Sequence, residues 1–334
     1  MRGANLGNYL EAPRNQNWGA RYSAEDFVII HREGFDHVRL PIAWHHYAGG
    51  EPEFKLSEEI FGKVDFLVTN ALRHDLAVIV NWHHFDDFTT APAAQTKKFF
   101  AIWQQIAAHF KKSPLAVAFE LLNEPKDAAT TVVLNPIYAE AIRVIRESNP
   151  NRAIFVGPSR WNQVSELPNL HLPEADRNLI VTVHCYEPFN FTHQGASWAG
   201  PDRKLTGIKF PGPPDQPLTP DPALKLSAGV SNWVRRYNTM PAEKNPSSPS
   251  VFRAAIQKAK DWGEQNGRPI HMGEFGAYTA ADPASRATFY REFRKALAEA
   301  NMGWCVWDWK AGFKYWDEKT GQPAPGLREA LFGK

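Results

Sequence analysis

Short, almost continuously apolar runs recur at residues 1–5, 37–42 (HVRLPI), 77–82 (AVIVNW), 116–122 (AVAFELL), 153–157 (AIFVG), 179–184 (LIVTVH), 269–273 (PIHMG) and 303–309 (GWCVWDW). Runs rich in Val and Ile with no polar face are expected of strands buried on both sides, as in a parallel sheet. Between them the apolar positions follow the 3.6-residue rhythm of amphipathic helices. Ser23 predicts an N-cap and Gly34 a stop for the first helix. Ser57 opens a second, with Ile60, Val64, Leu67, Val68, Ala71 and Leu72 on one face, and residues 97–111 repeat the pattern. Further helices are expected at 137–147, 251–265, 284–300 and 326–332, with an irregular crossover between the fifth and sixth strands.

Eight strand–helix units predict an α/β fold of the (β/α)8 barrel type, one catalytic domain over 1–334. A doubly wound sheet would give the same alternation, but neither GxGxxG nor GxxxxGK[ST] follows an early strand. Residues 199–250 break the pattern, with ten prolines and little periodicity. This stretch is expected to be an insertion after the sixth strand, either an elaborated βα loop or a mobile surface segment.

Composition narrows the partners. With 38 Lys+Arg against 36 Asp+Glu, the chain has no electrostatic footprint for nucleic acid or an anionic membrane. No apolar run reaches the roughly 18 residues of a membrane span. Two cysteines, Cys185 and Cys305, cannot make a disulfide scaffold and read as small buried hydrophobes on non-adjacent strands. No signal peptide opens the chain, so it is either a cytosolic protein or the mature part of a secreted one; the second is expected, as a monomer. Twelve Trp, nine Tyr and 21 Phe exceed the needs of a core, so some aromatic rings are expected to line a binding surface.

Catalysis in such barrels sits at the C-terminal strand ends. Those ends carry Asn5, Arg39, His83 and His84, Asn123 and Glu124, His184 and Tyr186, Glu274, and Trp307 with Asp308; Trp161 stands just beyond the fifth. Glu124 and Glu274, on the fourth and seventh strands, would face each other across the barrel mouth. Two carboxylates in an aromatic cleft suit glycoside hydrolysis, in which one protonates the leaving oxygen and the other attacks the anomeric carbon. Arg39 is expected to keep Glu274 ionised and His184 to tune Glu124.

The motifs VRLP, NWHH, LLNEP, VHCYEP, MGEF and VWDW, in that order, resemble family 5 of the glycoside hydrolases, the cellulase family, over nearly the whole chain outside the insertion. The resemblance implies Glu124 as acid/base, Glu274 as nucleophile, Arg39 and Tyr186 as orienting groups, and His83, Asn123 and Trp307 as sugar contacts. It implies retention of configuration and no metal or organic cofactor. NLGNYLEAP, the paired His83-His84 and PFNFTHQGASW resemble a subgroup of endo-β-1,4-glucanases, some of which also cut mannan. There the residues matching Asn5, Glu11, His84 and Trp198 touch sugar. Asp308, where the subgroup has Glu, and the insertion depart from it. The expected activity is a retaining endo-β-1,4-glucanase acting on β-glucan, with a β-mannanase or dual activity as the alternative.

Blander readings stand beside these. His83 and His184 can be satisfied core histidines, Arg39 a neutralised core charge and Trp307 barrel packing. His45, His46 and His109 read as packing or surface residues, as do Trp82, Trp103 and Trp262. A metal-dependent hydrolase would show HxH on the first strand, which reads RGANLGN. A sugar-binding barrel without activity would lack one of the two carboxylates.

Overall fold

The computed structural model describes residues 1–333. Eight parallel strands close in sequential order: β1 (Arg2–Asn5), β2 (His37–Ile42), β3 (Ala77–Trp82), β4 (Val117–Glu120), β5 (Ile154–Val156), β6 (Leu179–His184), β7 (Ile270–Phe275) and β8 (Gly303–Val306). The apolar runs thus mark the strands of a closed (β/α)8 barrel, as the sequence pattern predicts. In the register between neighbours, Asn5 stands beside Arg39 and Arg39 beside Ile79.

Contacts divide the chain into two compact units whose boundary cuts through β7 and β8. The first comprises residues 1–184, 259–273 and 303–305. Its helices Ala24–Glu33, Glu58–Arg73, Pro92–Phe110 and Thr131–Arg146 follow β1 to β4 in turn. Gly34 ends the first in a left-handed conformation at φ 106°, which glycine adopts without steric cost. Helix side chains reach the strand ends: Trp103 donates to the Leu121 carbonyl at 3.2 Å and Tyr138 to that of Gly157 at 3.2 Å. The rings of Trp82, Phe85, Phe88 and Phe99 stack between β3 and its helix. Much of the aromatic content is therefore core.

The second unit comprises residues 185–258, 274–302 and 306–333 of the described chain. Its core is another aromatic cluster, in which Phe210, Phe252, Phe289 and Phe293 pack ring to ring. The helix Pro283–Glu299 is capped by Asp282, which accepts from Ser285 N.

Two elements differ from the sequence reading. The helix expected from 137 starts six residues earlier, at Thr131, because Thr130 caps it and accepts from Val133 N, with Pro136 tolerated inside. The proline-rich stretch holds a helix, Ala228–Thr239, capped by Ser227. Val230, Val234 and Tyr237 form its buried stripe. Side-chain amides knit the rest: Asn238 exchanges two 2.9 Å bonds with the Leu218 backbone, and Asn245 donates to the Tyr237 carbonyl at 2.8 Å.

Arg152, just ahead of β5, shows how irregular backbone is held in the first unit. It is buried and donates to the carbonyls of Phe110, Ser113, Pro114 and Val117 and to Asn149 Oδ1. Truncation would take the donor from those carbonyls, of which Phe110 and Val117 are buried. Arg152→Ala should therefore cost about 3 kcal/mol or more, read as a lowered midpoint in urea with unchanged m-value.

Candidate active site

In the first unit the strand ends build two linked polar networks. Arg39, with 0% of its surface exposed, makes a bidentate pair with Glu120: Nε to Oε2 at 2.6 Å and Nη2 to Oε1 at 2.7 Å. Its remaining donors reach Asn5 Oδ1 at 2.8 Å and Asn123 Oδ1 at 2.6 Å. Glu120 escaped the sequence reading, which looked only at the end of LLNEP. The register of β2 on β3 and β3 on β4 brings Glu120 and Arg39 to the same side of neighbouring rows.

The second network surrounds Glu124, whose backbone is held at φ 46°, a conformation unusual for a residue with a side chain. Its N–H donates to Asn162 Oδ1 at 3.2 Å. With its oxygen so engaged, Asn162 turns Nδ2 toward His184 Nε2, 3.3 Å away. His184 Nε2 is therefore the acceptor and Nδ1 carries the proton, donated to Glu124 Oε1 at 2.8 Å. That leaves Oε2 as the oxygen able to hold an acidic proton. Loss of hydration pushes the Glu124 pKa up to about 7, against the pull of Arg39 and Lys126 and with a push from Glu120. A quarter of the Glu124 side chain is still exposed, so the proton is deliverable.

Two glycines make room for this network. A Cβ on Gly157 would lie 2.5 Å from Asn162 Nδ2, and one on Gly273 would collide with Thr182 Oγ1 and crowd His184 Nε2 at 2.9 Å. Asn162 was also missed, since it lies in a run of positive φ from Arg160 to Asn162 that no periodicity announces. The glycine closing AIFVG was the one available signal.

His83 is buried and fixed through Nδ1, 2.8 Å from Asn81 Oδ1, and desolvation holds its pKa well below the ordinary histidine range. His84 is exposed and meets the Trp18 ring edge-on at 5.9 Å. Asn5 and Glu11, expected as sugar contacts, both lie below the surface. Asn5 is wholly buried, donating to the Gly273 carbonyl at 3.0 Å, and Glu11 is 1% exposed with its carboxylate accepting from Asn8 and Tyr9 N–H. Both shape the frame under the rim, because their polar atoms close backbone turns and the Arg39 network.

In the second unit Glu274 is buried, and Tyr186 donates its hydroxyl proton to Oε2 at 2.8 Å. Trp307 is partly exposed and its N–H donates to the Phe275 carbonyl at 2.8 Å. Gly276 permits this approach, since a Cβ there would strike the Trp307 carbonyl. Asp308 is buried and accepts from Ala311 N at 2.6 Å and Phe313 N at 3.2 Å. Burial raises its pKa to about 6 against those bonds. Trp198 is 63% exposed and stands edge-on to Tyr278 at 4.7 Å, a flat apolar face open to solvent.

A closed parallel barrel with a proton-holding carboxyl after β4 and a tyrosine-anchored carboxylate on β7 is the frame that carboxylate-based glycoside hydrolysis uses. A model of the cellulase family, glycosyl hydrolase family 5, matches residues 4–312, and the chain belongs to that family. Endoglucanase H of Acetivibrio thermocellus is 26% identical over 306 residues, 92% of this chain, which spans 29% of that relative's length. The cellulose synthase subunit Z of Clostridioides difficile superposes with a TM-score of 0.85 at 31% identity over 99% of both chains. Thermotoga maritima Cel5A, solved with cellobiose, gives 0.86 at 33% identity over 99% of this chain and 97% of its own. The same enzyme has been solved with mannotriose.

Replacing Asn162 by Ala removes the donor that fixes His184. The prediction is a mixture of imidazole tautomers in the variant, against a single Nδ1–H form in the parent, read from ring 15N shifts.

Proposed function

We propose that the chain is the catalytic domain of a retaining endo-β-1,4-glucanase, with Glu124 as acid/base and Glu274 as nucleophile. The observation that carries this reading is the Glu124–His184–Asn162 network, which leaves a carboxyl proton available at neutral pH on one defined oxygen. Family membership supports the pairing with Glu274, and Tyr186 supports a fixed direction of attack. In the first step Glu274 bonds to the anomeric carbon while Glu124 Oε2 gives its proton to the departing glycosidic oxygen. In the second, Glu124 takes a proton from water, which displaces Glu274 with a second inversion. The amide Nδ2 of Asn123, whose oxygen Arg39 holds, is suited to donate to a sugar hydroxyl. Trp307, Trp198 and the Trp18–His84 pair offer rings for pyranose faces. A polymeric substrate too large to cross a membrane supports action outside the cell.

Glu274→Ala and Glu124→Ala should each lower kcat by about 10³-fold or more on carboxymethyl-cellulose, with folding intact by circular dichroism. Wild-type-like turnover in either would refute the roles. Proton NMR of the first-formed reducing ends should show the β anomer. Side-by-side assays on mixed-linkage glucan and glucomannan rank glucan against mannan, and a clear preference for mannan would replace the glucanase reading.

The pH dependence has a definite sign. Glu124 must be protonated to act as acid, so kcat/KM should fall about tenfold per unit as pH rises past about 7. The fall should be steep for aryl cellobiosides with poor leaving groups and weak for dinitrophenyl ones, which leave unprotonated.

A further inference from the structure

Toward the N-terminal ends of the strands, in the first unit, lies a second group of chemistry-bearing side chains that catalysis does not use. His37 opens β2, His271 is the second residue of β7 and Cys305 the third of β8; all three are buried. His37 Nε2 is 3.2 Å from His271 Nε2 and 3.0 Å from Cys305 Sγ. Cys305 is thus no inert hydrophobe, as the sequence suggested. On the far side of the ring, His37 Nδ1 lies 2.7 Å from Asp36 Oδ1. A carboxylate there can only accept, so Nδ1 carries the proton and Nε2 presents a bare lone pair.

Two further polar atoms, His271 Nε2 and Cys305 Sγ, converge on that single lone pair. His271 Nδ1 is buried with no hydrogen-bond partner among the described residues, so its ring is not committed from behind. Gly3 leaves the space that the cluster occupies: a Cβ there would collide with both His37 Nε2 and Cys305 Sγ.

We infer that His37, His271 and Cys305 form a binding site for a borderline divalent cation of the zinc type, with Asp36 orienting His37 from behind. Two imidazole nitrogens and a thiolate are the donor set such ions select, and a carboxylate behind a ligating histidine is its usual support. Bonds of 2.0–2.1 Å to nitrogen and 2.3 Å to sulfur ask for ligand separations of roughly 3.3 to 3.6 Å in a tetrahedral shell. The 3.2 Å pair is close to this, Cys305 needs to withdraw from His37 by about half an ångström, and all three donor atoms lie within 4.8 Å of one another. Binding replaces the S–H bond by a metal–sulfur bond and releases that proton to solvent. A fourth position stays open. The site ties β2, β7 and β8 together.

The test uses the full chain, freed of metal with a chelator and titrated with Co²⁺ and then Zn²⁺. One equivalent of Co²⁺ should produce a thiolate-to-cobalt charge-transfer band with tetrahedral d–d absorption, both erased by one equivalent of Zn²⁺. Cys305→Ser should abolish the charge-transfer band, whereas Cys185→Ser should keep it. A wild-type chain without the band at saturating cobalt overturns the site, as does an equal band in Cys305→Ser. Should Cys305→Ser fail to fold, Asp36→Asn serves, since Asp36 is 44% exposed and its loss leaves the ligands in place. It should weaken zinc binding by about 10- to 100-fold, and unchanged affinity would overturn the proposal.

Discussion

A guanidinium with no exposed surface has to be answered by charge where it stands, and the architecture of the rim in the first unit follows from how Arg39 is answered. Leaving such a cation unpaired would cost several kcal/mol, so its neighbours are fixed by necessity. Glu120 takes two of its donors in a planar fork, and Asn5 and Asn123 take others. Asn123 is the residue before Glu124. The buried ion pair therefore pins the backbone from which the acid projects, and its charge reaches the Glu124 carboxyl as the largest force opposing desolvation. One interaction bears on both the position and the proton affinity of the proposed acid.

The acid is then tuned by geometry as much as by burial. Asn162 reads the direction of the Glu124 N–H and transmits it through His184 to the carboxylate, so a backbone donor determines which carboxyl oxygen keeps the proton. This chain of three bonds is built on conformations that side chains seldom adopt, at Glu124 and along Arg160–Asn162. Each such residue stores about 1 to 3 kcal/mol of strain, which persists only because the surrounding hydrogen bonds over-determine it. Gly157 and Gly273 are the counterpart: positions where a methyl group would push the network out of register.

What the sequence could disclose follows from the same physics. Strand positions were readable to within about three residues, because strands covered on both faces are mostly apolar. Carboxylates at strand ends were readable because a charge at that depth is rare without a purpose. Glu120 and Asn162 were not, since their significance is relational: Glu120 matters through the register of β2, β3 and β4, and Asn162 through a left-handed turn with no compositional marker. Nor does the motif itself announce that Asn5 and Glu11 turn inward, one into the Arg39 network and the other to close a backbone turn. The helix at 228–239 was hidden by flanking prolines, although Val230, Val234 and Tyr237 carry its period.

The interior of a barrel is ordinarily packed with branched apolar side chains, which bury surface without any debt in hydrogen bonding. Here the inward positions of β2 run His37 then Arg39, and a strand that carries a polar group at two successive layers gives up packing at both. The upper layer has its reason in the chemistry of the rim. The lower layer touches no reacting group, yet three polar atoms share one lone pair there, and Gly3 surrenders a side chain to accommodate them. Replacing that trio with Val, Leu and Ile would remove the orphaned His271 Nδ1 and the crowding at His37 Nε2. A cluster that an apolar core would outperform on stability alone is one whose retention needs a ligand, and the donor atoms present say what kind.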